Sequence, residues 1–553
     1  MFFLFVICLV NIVNSNPIIN LPFGKLEGHV LKTYNKKEFL AFEGIPYAKP
    51  PIGELRFEEP QIFEPWDGIL LANKIYVCKQ YNHYTPLGED FVTGNEDCLY
   101  LNVYTPDHNQ EALRDVIVYI HGGAFMFGNG GSYGPFLLLD KNVVYVTINY
   151  RLGPLGFLST EDAVVPGNNG LKDQLLALKW IRNNIKYFGG NPSSVTLTGM
   201  SAGGASAQLH TLSPLSKGLF HRGISQSGCV LNPWVLVERS LEKSQTLAAS
   251  LNCPTNNTMD MIKCLKGKPA YDIVKSVKLF MPWLYNPFTP FGVVIDKWSS
   301  EPFLSEHPYL LLSKGKVLDV PWLFSHVESE GLYPGSEFIS KSEYLPQIND
   351  RWNELIPHIL DFNSTVPLGQ QSQVLQKIRD FYFGNTPVTE ETYSNLIKMI
   401  SDRLFLYDLN HAVKLHSAAI QSPVYHYYFT YRGAHSKSET LSKSMKNFGV
   451  SHADDTIYVL STNINTRSTP ADKDMSAVFI DLWISYASNS IPQVNDTLWL
   501  PVQKEKVSNS INSLKIESPY SQKMIELSFG NSQFWDSLPF NENQNLYNKK
   551  AEL

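Results

Sequence analysis

Residues 199–203, with the sequence Gly-Met-Ser-Ala-Gly, constrain the fold of this chain more than any other feature. They follow the β-branched, apolar run 195–198, which favours a strand. A serine between two glycines at such a place predicts a sharp strand-turn-helix, because the glycines let the two backbones pass without side chains between them. The turn would project the hydroxyl of Ser201. One such motif arises by chance in about one chain in several of this length, so the rest of the chain must support it.

Strand-like and helix-like segments alternate between about residues 20 and 210. Residues 116–120 and 143–148 are strand-like apolar runs, as expected of strands buried on both faces. A helix is predicted from about residue 171 to 187, with an apolar face and Gly189-Gly190 at its end. This alternation predicts an α/β fold with a large, mostly parallel central sheet and helices on both faces.

The later part of the chain adds helices to this core. Residues 235–420 are rich in helix-like and loop segments, a strand is predicted at 424–429, and 473–488 is amphipathic. No flexible linker divides the chain. We therefore expect one domain over residues 16–553, with helical insertions that roof a deep pocket at the ends of the sheet.

The composition is that of a globular protein with a large core. Of 553 residues, 43% are hydrophobic and 18% are charged. The 46 basic and 52 acidic residues give a net charge of −6, without a long run of like charge. Nothing in this balance indicates binding to nucleic acid or to a membrane surface.

The N-terminus predicts export. Residues 2–10 are apolar but too few to span a bilayer, and Val13-Asn14-Ser15 suits signal-peptidase cleavage after Ser15. We therefore predict a signal peptide over residues 1–15 and secretion without a membrane anchor. The end 550–553, Lys-Ala-Glu-Leu, loosely resembles a retrieval signal and leaves the lumen of the endoplasmic reticulum as the alternative location.

The cysteines and sequons are compatible with an oxidising compartment. Five of the six cysteines remain after loss of Cys8 with the signal peptide. Cys78 with Cys98, and Cys253 with Cys264, would each close a modest loop and leave Cys229 unpaired. Glycosylation is predicted at three Asn-x-Ser/Thr sequons in polar surroundings, at Asn256, Asn363 and Asn495.

A glycine-rich segment supplies candidates for binding an oxyanion. His121-Gly122-Gly123 directly follows the predicted strand 116–120. Glycines at this place leave backbone N–H groups free to point at a substrate oxygen, and the N–H of Ala202 would add a third donor. A serine nucleophile also needs a base and an acid that orients the base.

In α/β-hydrolases these partners follow the serine in the order acid, then histidine. His452 lies in the loop 449–455 after a late strand, and His435 is a rival on another loop. Three further histidines lie in strand-like or helix-like sequence and are predicted to be structural, namely His411, His416 and His426. For the acid, Glu330 and Glu328 both follow the strand-like run 320–324, and their spacing does not separate them.

The chain resembles the type-B carboxylesterases and cholinesterases of the α/β-hydrolase fold, and insect carboxylesterases most of all. The motifs that carry this resemblance cover nearly the whole mature chain: 42–48 with 55–57, 96–104, the His-Gly-Gly loop, 149–153, 188–192, the serine turn and 225–228. It implies Ser201 as nucleophile, Glu330 as acid and His452 as base, without metal or cofactor. It also implies the disulfides Cys78–Cys98 and Cys253–Cys264, and the ion pairs Arg56–Glu96 and Arg151–Asp173.

Departures from the family bear on the substrate. Cholinesterases hold a tryptophan about ten residues before the cysteine matched by Cys98, whereas residues 84–90 here contain none, so choline esters are disfavoured. Trp234 matches an acyl-pocket position, and Phe288 and Phe291 are further candidates for that pocket. We predict a small-molecule substrate, an uncharged aliphatic or aromatic ester, with xenobiotic compounds among the candidates.

Three other functions remain open from the sequence. The first is a specialised juvenile-hormone, pheromone or lipid esterase, although juvenile hormone esterases usually have Gln where Met200 stands. The second is a non-catalytic adhesion homologue, which typically lacks a member of the triad. The third is a stoichiometric binder of toxic esters, which would differ in slow deacylation.

Overall fold

The computed structural model of the protein describes residues 16–85, 89–504 and 510–547. The predicted signal peptide, Pro86 to Gly88 and the C-terminal residues 550–553 lie outside the described residues. Within them no helix is long and apolar enough to cross a membrane.

An eleven-stranded sheet forms the centre of the described structure. Its strands, numbered β1 to β11 in chain order, are His29–Lys32, Glu38–Pro46, Tyr100–Thr105, Arg114–Ile120, Val144–Ile148, Gly190–Met200, Arg222–Gln226, Trp322–Val327, Val424–Phe429, Ile511–Ser518 and Ser521–Leu527. Across the sheet they lie in the order 1-2-3-5-4-6-7-8-9-10-11. Strands β4 to β10 are parallel to their neighbours in this set, and the outer strands β1 to β3 and β11 pair antiparallel. The prediction of a large, mostly parallel sheet is confirmed.

Two smaller sheets lie outside this one. Ile18–Leu21, Gly24–Glu27 and Ile69–Leu71 form a three-stranded sheet, and Gln80–Tyr81 pairs with Val92–Thr93. The α-helices, α1 to α16, are Gly153–Phe157, Asn169–Asn184, Ala202–Leu212, Ser240–Ser250, Thr258–Lys266, Ala270–Lys275, Pro308–Ser313, Leu332–Gly335, Tyr344–Asp350, Trp352–Ile359, Leu368–Tyr382, Tyr393–Ser401, Tyr407–Ala419, Ser438–Ser442, Pro470–Asn489 and Ser532–Asp536.

Both faces of the central sheet are buried, as the apolar residues 116–120 of strand β4 show. Its residues Val116 and Val118 belong to the larger core cluster, together with residues of α2 and α3. The alternate residues Ile117 and Tyr119 belong to a second cluster, which contains the apolar side of α15. This two-sided burial is the physical reason that the strands carry continuous apolar runs.

Local predictions agree with the structure to within a few residues. The helix predicted at 171–187 is α2, which begins at Asn169, and a 3₁₀ turn continues it from Ile185 to Phe188. Gly189 ends it in the left-handed conformation, with φ of 74°. The strands predicted at 116–120, 143–148 and 424–429 are β4, β5 and β9.

The covalent and ionic links implied by the family resemblance are present. Disulfides join Cys78 to Cys98 and Cys253 to Cys264, and the remaining cysteine of the described residues, Cys229, is buried as a free thiol. Arg56 Nε lies 2.6 Å from Glu96 Oε1. The fully buried carboxylate of Asp173 lies 2.7 Å from Arg151 Nη2 and also accepts from the Arg151 backbone.

Buried histidines should make the fold sensitive to acid. Burial lowers the pKa of His210, His416 and His426 to about 3. In the unfolded chain a histidine titrates near 6.5, so below that pH the unfolded state binds more protons and gains stability relative to the folded state. We expect the free energy of unfolding to fall between pH 7.5 and 5, by about 2 kcal/mol for each such histidine.

Urea unfolding at the two pH values measures this loss. The variant His416→Gln keeps a polar side chain beside Gln208, which lies 3.2 Å from the imidazole, but takes up no proton. It should lose less stability than the parent protein over the same interval. Equal unfolding midpoints for the parent at pH 7.5 and 5 would contradict the prediction.

Candidate active site

Ser201 occupies a strained turn between β6 and α3. Its backbone has φ of 59° and ψ of −125°, a conformation that costs a non-glycine residue free energy and that tight packing must maintain. The packing is visible at the flanking glycines: a Cβ on Gly199 would lie 2.3 Å from the backbone of Gly203, and a Cβ on Gly203 would lie 2.0 Å from the oxygen of Ile120. The sequence therefore folds into the predicted strand-turn-helix.

The glycine loop after β4 packs directly against this turn. A Cβ on Gly122 would lie 2.5 Å from the carbonyl oxygen of Met200 and 3.1 Å from Ser201 Cβ. Within the described residues, the backbone N–H groups of Gly122, Gly123 and Ala202 donate no hydrogen bond. Free N–H groups beside a projecting hydroxyl can stabilise negative charge on an oxygen that is bound there.

The imidazole of His121 packs against the glycine loop. The imidazole is buried, stacks on the ring of Tyr150 with centroids 4.5 Å apart, and lies with Nδ1 2.8 Å from the Gly122 oxygen. Burial lowers the pKa of His121 to about 4, so the ring is neutral at physiological pH. This neutral ring fixes the peptide that carries the Gly122 carbonyl.

Glu330 and His452 form a buried carboxylate–imidazole pair. Glu330 Oε2 lies 2.6 Å from His452 Nδ1, and Oε1 accepts a hydrogen bond of 2.9 Å from the backbone N–H of Val327. The carboxylate is fully buried. The other imidazole nitrogen, Nε2, is buried and has no hydrogen-bond partner among the described residues. A carboxylate on Nδ1 fixes the proton there and leaves Nε2 able to accept one.

The loops that carry this pair are joined to each other. Glu330 follows β8 and His452 lies in the loop 449–455, and the two loops pair in parallel at Ser329 and Ser451. The backbone N–H of Ser329 also donates to the oxygen of Val450 at 2.9 Å. The acid and the histidine are thus adjacent although 122 residues separate them.

Gln226, the last residue of β7, joins the histidine loop to the serine turn. Its backbone oxygen accepts the N–H of Ser201 at 2.8 Å, and its side-chain Nε2 donates to Asp455 Oδ2 at 3.1 Å. Asp455 is fully buried and also accepts from the Tyr427 hydroxyl at 2.7 Å. One residue, through its backbone and its side chain, therefore links the loop of His452 to the turn of Ser201.

The structure separates the alternatives that the sequence leaves open. Glu328 is exposed, whereas Glu330 is buried beside His452. His435 lies 3.3 Å from Glu439, away from Glu330. His426 lies in β9 between His326 and Ser513, and His411 and His416 lie in α13.

Aromatic side chains adjoin the pair, including two of the three predicted pocket residues. The ring of Trp234 is 6.4 Å from Phe125, 5.9 Å from Phe288 and 6.0 Å from Phe405, and its Nε1 donates to the oxygen of Leu404 at 2.7 Å. Phe405 in turn lies 4.7 Å from the His452 ring. Phe291, the third predicted residue, instead packs on Phe280 at 5.3 Å.

Sequence reasoning missed several residues of this site. Tyr333 stacks on His452 with centroids 5.6 Å apart, and its position three residues after Glu330 offered a signal. Gln226 lies within a motif that supported only the family resemblance. Phe405 lies in a π-helical turn, Asp402–Leu406, and no local pattern distinguishes it from a core residue.

Comparisons with known proteins show the family of this chain. The profile of the carboxylesterase family matches residues 15–535. The chain belongs to this family. It is 43% identical over 532 residues to venom carboxylesterase-6 of Apis mellifera, covering 96% of this chain and 95% of that protein. It is 43% identical over 522 residues to esterase FE4 of Myzus persicae, covering 91% and 90%.

A solved structure shares the fold of this esterase. The crystal structure of juvenile hormone esterase from Manduca sexta, with OTFP covalently attached, superposes with a TM-score of 0.82 at 26% sequence identity. The match covers 94% of this chain and 99% of that one. The α/β-hydrolase fold and the esterase activity expected from the sequence are supported by these relatives.

Proposed function

We propose that this esterase hydrolyses its substrate through an acyl-enzyme formed on Ser201, with His452 as general base and Glu330 as the acid that orients it. The single observation that carries the proposal is the buried Glu330–His452 pair, with 2.6 Å between Oε2 and Nδ1 and an unpartnered Nε2. The contacts of Gln226 and Gly122 with the serine turn supply the second line of support.

In the first half-reaction the Ser201 oxygen attacks the carbonyl carbon of the ester while His452 Nε2 takes the hydroxyl proton. The carbonyl oxygen becomes an oxyanion, to which the N–H groups of Gly122, Gly123 and Ala202 donate. The bond to the alcohol oxygen then breaks, and His452 gives its proton to the leaving alcohol. Glu330 stabilises the imidazolium that exists between the two transfers.

In the second half-reaction water replaces the alcohol. His452 Nε2 takes a proton from the water as its oxygen attacks the acyl carbon, and the same oxyanion donors act again. The bond to Ser201 breaks, the proton returns to the serine oxygen, and the carboxylic acid leaves. No bound metal or cofactor enters any step.

The aromatic surroundings favour uncharged aliphatic or aromatic esters, including xenobiotic ones. The group of Trp234, Phe125, Phe288 and Phe405 offers apolar faces and no charge. The alternative of a specialised hormone, pheromone or lipid esterase has the likeness to the Manduca sexta enzyme in its favour. A turnover panel of short-acyl, long-acyl, choline and juvenile-hormone esters separates these substrates.

We also propose that the protein is secreted as a glycoprotein. The two disulfides suit an oxidising compartment, and the three predicted acceptors, Asn256, Asn363 and Asn495, are all exposed. Release of glycans by an amidase, followed by mass measurement of the three peptides, gives the occupancy of each site.

Stopped-flow hydrolysis of a p-nitrophenyl ester tests the acyl-enzyme mechanism. We expect a burst of p-nitrophenol equal to the enzyme concentration wherever deacylation is the slower step. An organophosphate should abolish the activity and add its mass to the peptide that contains Ser201. Modification of a different residue, or no ester hydrolysis by the folded protein, would refute the proposal.

Replacing Gln226 tests whether the joined loops matter for catalysis. Gln226→Leu keeps the backbone bond to Ser201 but removes the side-chain donor to Asp455. We expect kcat to fall about 10- to 100-fold with little change in KM, because small displacements of reacting groups slow the chemical step more than binding. Gln174→Leu, which removes a buried glutamine from the bonds to His210 and Ser206, is the matched control. Equal losses in both variants would indicate a general effect on folding.

A further inference from the structure

A cluster of buried polar side chains borders the proposed reaction centre and takes no part in the chemistry described above. It consists of His83, Tyr285 and Tyr333, none of which is more than 6% exposed. Tyr333 stacks on the imidazole of His452, and its hydroxyl lies 3.3 Å from His83 Nδ1. The polar cluster therefore begins at the ring that we propose as the base.

The other end of the polar cluster reaches the glycine loop. The ring of His83 lies 4.8 Å from that of Phe127, and the backbone N–H of Phe127 donates to the oxygen of Gly123 at 3.0 Å. His83 thus contacts residues that neighbour both the base and the oxyanion donors.

Two polar atoms of the cluster have no partner. His83 Nε2 is buried without a hydrogen bond to any described residue, and its ring stacks on that of Tyr285 with centroids 4.7 Å apart. Tyr285 Oη is buried beside the carboxyl group of Glu337 but makes no hydrogen bond of good geometry to any described residue. Such atoms are rare because their desolvation is not compensated, and each needs an explanation. A ligand that bonds to them would supply the missing partner.

Both groups are uncharged at physiological pH. Burial, with a smaller effect from Lys278, lowers the pKa of His83 to about 3. Burial, reinforced by Glu337, raises the pKa of the Tyr285 phenol well above its ordinary value. Neutral hydrogen-bonding groups in an aromatic setting suit an uncharged oxygen better than an ion.

We propose that His83 and Tyr285 form a subsite that hydrogen-bonds an uncharged oxygen, such as an ether, carbonyl or hydroxyl, in the chain of the ester away from the bond that is cleaved. This inference rests on the proposed function and narrows its substrate class from plain hydrocarbon esters to oxygenated ones. A hydrocarbon chain at the same place would leave both groups unpaired, so the site would discriminate against it.

Matched esters test the subsite on each side of the scissile bond. p-Nitrophenyl heptanoate is compared with p-nitrophenyl 5-methoxypentanoate, and hexyl acetate with 4-methoxybutyl acetate; within each pair one oxygen replaces one methylene. A purely apolar pocket prefers the hydrocarbon member, because it buries more apolar surface. We expect this enzyme to prefer the oxygenated ester in at least one pair, with kcat/KM about tenfold higher than for its hydrocarbon counterpart.

The variants Tyr285→Phe and His83→Phe should abolish this preference. Tyr285→Phe removes a single oxygen and keeps the ring stack, so it is the decisive variant if His83→Phe folds poorly. The readout in both variants is the ratio of kcat/KM within each pair of esters. The control Tyr486→Phe removes a buried hydroxyl that donates to the oxygen of Gly223 at 3.2 Å and should leave the preference intact.

The outcomes separate this inference from the proposed mechanism. Burst hydrolysis of the hydrocarbon esters with no preference for oxygen in either pair overturns the subsite alone. If Tyr285→Phe still prefers the oxygenated esters, the subsite is also overturned, and water would then be the partner of His83 Nε2 and Tyr285 Oη. Failure to hydrolyse any of the four esters, with no labelling of Ser201, refutes the proposed function itself.

Discussion

Replacement of Ser201 by alanine should lower kcat for ester hydrolysis by about 10⁵- to 10⁶-fold, close to the level that binding and oxyanion donors alone sustain. The substitution removes the attacking oxygen and leaves the turn intact, since alanine retains the Cβ against which Gly122 packs and the backbone against which Gly228 packs. Steady-state turnover of a p-nitrophenyl ester measures the loss. Circular dichroism and the thermal midpoint verify that the variant folds.

Ser206→Ala is the matched control for this variant. Ser206 lies in α3, the helix that follows Ser201, is also buried, and accepts a hydrogen bond from Gln174 at 3.2 Å. It should retain activity within a few-fold of the parent. Organophosphate labelling gives an independent readout, because the Ser201→Ala protein should gain no adduct mass. Turnover within tenfold of the parent, or an adduct that persists, would show that another group is the nucleophile.

Much of this fold could be predicted because its central strands are locally unambiguous. A run such as 116–120 has no polar face, so it fits only a strand covered on both sides, and the structure places it at the middle of the sheet. The serine turn was equally predictable, since contacts of 2.0 to 2.3 Å at Gly199 and Gly203 exclude every other residue type. Local sequence determines these features.

The proposed partners of Ser201 could not be predicted from spacing alone. Glu328 and Glu330 differ by two positions, and what separates them is burial and a bond from the Val327 N–H, which depends on how β8 ends. His452 is distinguished from His435 by the pairing of two loops far apart in sequence. Family resemblance selected two residues that the structure brings into contact, because it summarises tertiary contacts that no local pattern contains.

The aromatic surroundings of the site were the least predictable part. The sequence predicts Trp234, Phe288 and Phe291 for the acyl pocket, yet only the first two pack together. The rings in contact with the imidazole of His452 are those of Phe405 and Tyr333. An aromatic residue in a loop or insertion has the same local pattern whether it lines a core or a pocket. Its role depends on which insertion packs over the sheet, and that is decided by long-range packing.

Replacement of Glu330 by glutamine should reduce kcat by about 10⁴-fold, and the geometry of the carboxylate explains why an isosteric change is so costly. Oε1 accepts the N–H of Val327 and Oε2 faces His452 Nδ1. A glutamine must keep its oxygen toward Val327, so its NH₂ group faces Nδ1. Nδ1 then accepts a hydrogen bond, the imidazole proton moves to Nε2, and that nitrogen can no longer take the proton of Ser201.

The matched variant Glu328→Gln makes this argument specific to one carboxylate. It applies the same chemical change two residues away, at an exposed side chain on the same loop, and should leave kcat within about twofold of the parent. KM should be little affected in either variant, because the tautomer of His452 matters for proton transfer and not for holding the ester. Equal losses of kcat in the two variants would mean that the charge of the loop matters, and not the bond from Glu330 to His452. Full activity of Glu330→Gln would exclude an orienting role for the Glu330 carboxylate. The glutamine amide has one oxygen, which cannot serve both the Val327 N–H and the protonated Nδ1 of His452 that catalysis requires.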